Sequence, residues 1–360
     1  MEVLIMGNRT IGYRLWIAVK QVQIILYIMC ASFLLSGCVK EELPSADTPS
    51  DNFEALWQMI DERYPFFDYK QKEIGVDWNE VHSRYQKKIT GKMSRMQLSE
   101  VLCQMIAELR DGHVNLGASF DVGRNWSYHE DYPEEYYDSI CRGYLGRDYG
   151  IASGLQWKIL DDNLGYIRVE SFENPIGDGN ISDVLALLAS CNGLIIDVRQ
   201  NGGGSMEYAR TLASHFTNDK RLVGYVYHKT GKGHNDFSKP KALYLEPADG
   251  MRWQKPVVVI TNRQSFSATN DFVKMMKECP NVVQLGDQTG GGSGLPFTQE
   301  LPSGWTVRYS AVVFTDVDGN QIEFGIQPDV RVSMDMNDVA KRKDTLIEAA
   351  RELLNIYKNN

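Results

Sequence analysis

Four short segments of this 360-residue chain carry residue types suited to acyl transfer. The first runs Lys255-Pro256-Val257-Val258-Val259-Ile260-Thr261-Asn262 and continues through Ser265 and Phe266 to Ser267 and Ala268. A serine where a buried strand hands over to a helix lies near free backbone N–H groups and the positive end of the helix dipole. That setting suits Ser267 as an oxygen nucleophile, with the Ala268 N–H available to a tetrahedral oxyanion. The second segment is Asp197-Val198-Arg199-Gln200-Asn201-Gly202-Gly203-Gly204, where consecutive glycines let backbone approach a ligand closely. The third, Leu109-Arg110-Asp111-Gly112-His113, presents an imidazole after a glycine at a helix end, with the intrinsic pKa of a general base. In the fourth, Gln321-Ile322-Glu323-Phe324-Gly325-Ile326-Gln327-Pro328, the Glu323 carboxylate precedes a Gly/Pro turn and is suited to orienting a histidine.

Each segment alone has a plainer explanation. Serine is favoured at helix N-caps in any case, and Ser265 competes for the nucleophile role. The glycine run fits an ordinary strand-to-helix turn. It lacks the Lys-Ser/Thr of a P-loop and the GxGxxG spacing, so nucleotide binding is rejected. Asp197 and Arg199 read as a structural ion pair. His113 fits a surface or capping role, and Glu323 a solvated one. His82, His129, His215, His228 and His234 have no comparable setting.

The elements that must position these residues follow from periodicity. Phe53, Leu56, Trp57 and Ile60 fall on one helical face, ended by Pro65. Further helices are expected over 78–89 and 94–109. Apolar strands at 164–169, 194–198, 256–261 and 282–285 alternate with helices at 181–188, 206–216 and 268–277, which predicts a layered α/β core. After Gly294, turn signals at Pro302-Ser303-Gly304 and Asp318-Gly319-Asn320 predict β-hairpins. A helix over 344–357 is expected to close the chain.

Composition bounds the rest. At 43% hydrophobic and 24% charged the chain is globular, and a net charge of −9 argues against nucleic acid as a partner. Basic residues lead into the short apolar run IILYIMCASFLL and then Leu35-Ser36-Gly37-Cys38, which resembles a bacterial lipobox. The expected organisation is a signal peptide over 1–37, lipid on Cys38, and a flexible tether over 38–51. A helical subdomain over 52–117, a connecting segment over 118–160 and a catalytic domain over 161–360 would follow. Lys40-Glu41-Glu42 adds an expectation of the outer membrane and its outer face, within the cell envelope. Cys103, Cys141, Cys191 and Cys279 show no metal-ligand spacing and are expected as buried free thiols. No cofactor or metal is expected.

Taken in order, LRDGHVNL, LGYIRVESF, LIIDVRQNGGG, VVVITNRQSFSATNDF, LGDQTGGGSG and FGIQPDV resemble the C-terminal-processing (tail-specific) peptidase family, especially its tricorn-core-like branch. The resemblance implies a ClpP/crotonase-like core of ββα units and metal-free peptide cleavage by a serine. It implies Ser267 as nucleophile, and oxyanion donors at Ala268 and at Gly203, with Gly202 as the second choice. Gly292 stands where the Ser-Lys branch has its lysine, so His113 is expected as base and Glu323 as its orienting carboxylate. The pattern departs at Gly112, where the branch has serine, and at Asn270, where the family has glutamate. The 48 residues between Leu116 and Leu164 are too few for a PDZ domain with its connection. The expected substrate is a peptide or unfolded protein; the competing reading is an inactive surface lipoprotein binding peptides or apolar ligands. An acyl-CoA enzyme would not need export.

Overall fold

The structure is a computed structural model, and it describes residues 47–123 and 129–358, all within one compact unit. The expected signal peptide, Cys38 and most of the tether lie outside the described residues. In chain order the elements begin with helices α1 (Pro49–Arg63), α2 (Phe67–Ile74), α3 (Trp78–Gln86) and α4 (Arg95–Ala107). The short strands β1 (Asn115–Gly117) and β2 (Val122–Gly123), helix α5 (Asp138–Leu145) and the hairpin β3 (Gly150–Ala152) and β4 (Leu155–Ile159) follow. Thr48 caps α1 with its side chain, so the helix starts inside the expected tether. Helix α2 is absent from the periodicity reading, because its eight residues have no side-chain cap and few apolar repeats.

The α/β part follows the sequence pattern closely. Strand β5 (Gly165–Arg168), helix α6 (Asp178–Leu187), β6 (Leu194–Asp197) and α7 (Met206–Ser214) are succeeded by a pair without strong signals, β7 (Arg221–His228) and β8 (Lys241–Leu245). Then come β9 (Val257–Thr261), α8 (Ala268–Lys277), β10 (Val282–Gly286), the hairpin β11 (Pro296–Glu300) and β12 (Thr306–Ser310), β13 (Val312–Thr315), β14 (Val330–Arg331), α9 (Met336–Ala340) and α10 (Thr345–Lys358). A seven-stranded sheet is ordered β14-β10-β9-β6-β5-β4-β3. Its centre is parallel, with Leu194 opposite Val257 and Val257 opposite Val282. Every residue of β5, β6 and β9 is buried, as expected of strands covered on both faces.

Two further sheets complete the molecule. Strands β11-β12-β1-β2 form an antiparallel sheet, and β13-β7-β8 a smaller one. The antiparallel sheet packs on the N-terminal helices: Leu301, Trp305, Val307 and Tyr309 share one apolar cluster with Phe53, Leu56, Leu102 and Ile106. The helical residues therefore complete their core with a hairpin about 200 positions later. Cys103, Cys141, Cys191 and Cys279 are buried thiols outside any disulfide among the described residues.

Candidate active site

The parallel strands converge on one end, where β6 runs into the glycine turn, β9 into Ser267 and β10 into the Thr289–Gly292 turn. Crevices beyond the carboxyl ends of parallel strands are the usual ligand sites of such sheets. Here a cavity of about 340 Å³ is lined by Ser267, His113 and Ala268, by the apolar Met206, Phe314 and Ile322, and by charged groups at its edges.

Ser267 immediately precedes α8 but does not cap it. Its side chain makes no capping hydrogen bond, and its backbone has φ 59° and ψ −120°. A non-glycine residue there is strained, at a cost of roughly 1–3 kcal/mol. The strain is held by the Ser267 N–H bond to the Gly291 carbonyl at 2.8 Å and the Asp271 N–H bond to the Ser267 carbonyl at 3.1 Å. Freed from the helix end, Oγ lies 2.9 Å from His113 Nε2. Ser265, the competing serine, is fully buried; its Oγ donates to the Val198 carbonyl at 3.0 Å and accepts from the Asn262 N–H at 3.2 Å. It has no access to a substrate.

His113 is held in a tight turn. Asp111 Oδ1 accepts the His113 N–H at 2.7 Å, and Tyr64 donates to Asp111 Oδ2 at 2.9 Å. The imidazole is 1% exposed. Burial pushes its pKa down to about 4, with Asp111 and the Ser293 backbone pulling upward and Arg308 and Lys70 downward. It is therefore neutral in the folded chain near pH 7 and able to accept a proton. With Nε2 facing Ser267, Nδ1 is left to donate to the Ser293 backbone carbonyl, and Ser310 Oγ lies 3.5 Å from that atom. Ser310 also donates to the Ser293 carbonyl at 3.1 Å. This hydroxyl flanks the ring.

Glu323 does not reach the imidazole through its own hydrogen bonds. Its Oε2 accepts the Ser293 N–H at 2.8 Å, and its Oε1 accepts from Lys70 Nζ at 2.9 Å. The expected contact between carboxylate and histidine is thus replaced by an indirect one through Ser293. Burial, with Asp111 nearby, pushes the Glu323 pKa up, against the pull of Lys70 and Ser293. Gly203 also departs from expectation. Its N–H donates to Asn201 Oδ1 at 3.0 Å within the turn, so it is already engaged. What Gly203 supplies is space: at φ 103°, a Cβ would lie 2.8 Å from Ser267 Cβ and 2.9 Å from the Phe266 carbonyl. Ala268 opens α8, and its N–H has no acceptor among the described residues. Gly202 and Gly204 line the cavity and are the turn's remaining candidates for a second donor.

Other singled-out residues prove structural. Asp197 and Arg199 form a buried pair at 2.6 Å, extended to Asp344 at 3.0 Å and to Tyr166, whose hydroxyl donates to Asp197 at 2.9 Å. Asn270 donates to the Ile322 carbonyl at 3.1 Å and accepts from Thr289 Oγ1 at 2.6 Å, which ties α8 to the Glu323 segment. A side chain at Gly292 would meet the Phe266 ring at 2.4 Å, so a lysine has no room there. His82, His215 and His234 bond Glu54, Asp178 and Asp61, away from the site. Sequence reasoning missed Lys70, Ser293, Ser310 and Asp111. Asp111 stood two residues from His113 and was within reach of a local argument, and Ser293 lay inside the LGDQTGGGSG segment; Lys70 and Ser310 gave no signal.

Comparison with known proteins bears on the family and the fold. A sequence model of peptidase family S41 matches residues 163–332, and one of the tricorn protease C1 domain matches residues 45–107. A solved structure from Parabacteroides merdae, described as a peptidase, is 49% identical, covers 85% of this chain and 96% of its own, and superposes with a TM-score of 0.82. Mature CPAF shares the fold at 14% identity and a TM-score of 0.65, over 85% of this chain and 96% of its own. The carboxy-terminal processing protease CtpA of Bacillus subtilis is 27% identical over 180 residues, 49% of this chain. The match spans only 36% of that protein's length.

Proposed function

The chain belongs to peptidase family S41, a family of serine peptidases, and from that premise we propose that it hydrolyses peptide bonds of proteins or peptides with Ser267 as nucleophile and His113 as general base. The observation that carries this reading is the 2.9 Å bond between His113 Nε2 and Ser267 Oγ, made by a serine held in strained backbone and released from capping. In the first step Oγ attacks the scissile carbonyl while Nε2 takes its proton. The same imidazolium then returns the proton to the leaving amine, and water repeats the cycle on the acyl-enzyme. The Ala268 N–H faces the developing oxyanion, an interaction worth on the order of 3 kcal/mol per donor. Met206, Phe314 and Ile322 offer an apolar surface to the substrate side chain beside the scissile bond.

Glu323 enters as a positioning residue. It fixes the Ser293 N–H, and the same residue's carbonyl side holds the imidazole. A carboxylate one peptide unit away stabilises an imidazolium less than a direct contact would, because Coulomb energy falls with distance. The test compares wild type with Ser267→Ala on unfolded casein. Cleavage by wild type alone is expected; equal cleavage by both sinks the assignment. The inactive-binder reading predicts peptide binding without labelling of Ser267 by a fluorophosphonate.

Export and lipid attachment are part of the same proposal. The Leu35-Ser36-Gly37-Cys38 sequence supports lipid on Cys38 and a place in the cell envelope, with Lys40-Glu41-Glu42 favouring the outer membrane. Metabolic labelling with a fatty acid is expected in wild type and lost in Cys38→Ala.

A further inference from the structure

Behind the base sits a cation that the hydrolytic steps do not use. Lys70, on α2, is fully buried. Its Nζ donates to Glu323 Oε1 at 2.9 Å and to the Arg110 carbonyl at 3.1 Å, and stands 4.0 Å from the centroid of the Phe324 ring. From these contacts we infer that Lys70 is a positioning residue for hydrolysis, fixing the turn that carries His113 against the Glu323–Ser293 unit that holds its ring.

The inference rests on the Ser267–His113 reading and on two features of the turn. Arg110 has φ 46°, a left-handed conformation unfavourable for a non-glycine residue, and Lys70 holds its carbonyl directly. Three residues later His113 must meet Ser267 at hydrogen-bonding distance, and a misplacement of about 1 Å at a catalytic group can cost about 100-fold in rate. On the other side of the ring, Glu323 Oε2 holds the Ser293 N–H, while Ser293 Oγ donates to the Phe314 carbonyl at 3.2 Å. One ammonium therefore joins the two clamps on the imidazole, from residues 253 positions apart. Stability alone gives little reason for it. Replacing a buried ion pair by neutral groups of similar volume is often neutral or stabilising. Helix α2 thereby acquires a catalytic purpose without touching substrate.

The test uses the full-length chain and a fluorophosphonate probe, whose saturable labelling separates binding (KI) from the chemical step (kinact). Lys70→Met is expected to lower kinact by about 10- to 100-fold while KI stays within about twofold. Because this variant leaves Glu323 buried without its partner, Lys70→Met/Glu323→Gln is the second variant. It is expected to regain wild-type thermal stability yet label at least about fivefold more slowly than Glu323→Gln alone. Wild-type labelling rates in folded Lys70→Met, or a double variant as fast as Glu323→Gln, would overturn the inference. Absence of Ser267-dependent labelling in wild type overturns the catalytic reading, and this one with it.

Discussion

The two partners of the Ser267–His113 bond are held in opposite ways. Ser267 is placed by backbone: a strand buried on both faces, a strained residue at φ 59°, and a helix that starts immediately after it. Most of that lies within about twenty consecutive residues, with the Gly291 carbonyl and the space at Gly203 added from neighbouring turns. His113 is placed by side chains from four distant stretches, through Asp111 with Tyr64, Lys70 with Glu323, Ser293 and Ser310. The lesson is that Ser267 is fixed by backbone, mostly that of one strand-turn-helix unit. Base geometry is a property of the packed molecule. The nucleophile side should fail through sterics and backbone, and the base side through lost polar contacts and pH.

The largest contrast comes from removing the reacting groups themselves. Ser267→Ala and His113→Ala are each expected to lower casein hydrolysis by about 10⁴-fold or more. Ser267→Gly should be equally inactive but more stable than Ser267→Ala by roughly 1 kcal/mol in urea denaturation, since glycine tolerates the positive φ. Equal stabilities would mean that the turn stores no strain. Next is Gly203→Ala, whose Cβ would press on Ser267 and the Phe266 carbonyl at a φ of 103°. Loss of fluorophosphonate labelling by about 100-fold and of stability by about 2 kcal/mol is expected. Near-normal labelling there would show that the nucleophile is not fixed by its backbone.

On the base side, Asp111→Asn disturbs the acceptor shared by the His113 N–H and Tyr64, both buried. A cost of about 1–3 kcal/mol is expected by thermal denaturation, with activity falling alongside. Stability that is unchanged removes Asp111 from the clamp. The last contrast is in pH. Burial holds the folded His113 pKa at about 4, against 6.5 for the ordinary group. Its folded pKa is depressed, so the unfolded chain takes up the proton first as pH falls. The stability held by neutral His113 is full above about 6.5 and declines by roughly 1.4 kcal/mol per pH unit toward 4. His113→Gln should lack this slope when the two unfolding curves are compared across pH 7 to 4.5. The acidic limb of kcat/KM in wild type is expected well below 6.5; a limb at 6.5 or above contradicts a desolvated base.

Legibility in the sequence follows the same division. Strand β9 and helix α8 over Ala268–Lys277 could be read from a contiguous stretch, because apolar runs and turn residues report local geometry. The strands β7 and β8 and the helix α2 could not. Their residues are only partly apolar, and they gain burial from neighbours remote in sequence. Gly203 shows the limit even within a motif. Its place beside Ser267 was legible, but the N–H bond to Asn201 depends on a side-chain rotamer. Glu323 was found by its place in family order; that it works through Ser293 was not.

By itself, then, the amino-acid sequence determined the α/β pattern and the serine at a helix start beside a glycine turn, because residue type and short-range spacing fix local structure by elementary stereochemistry. His113 as the expected base, with Gly292 in the place of a lysine, came from the resemblance to the family and not from spacing. Only the tertiary structure decided which hydroxyl is released from capping, that Ser265 is buried, and that Lys70 stands behind the carboxylate on the far side of His113. Burial makes the difference. A lysine followed by polar neighbours reads as solvated until Glu323 and Phe324, some 253 positions later, pack against it, and removal from water then turns a surface charge into a fixed part of the fold.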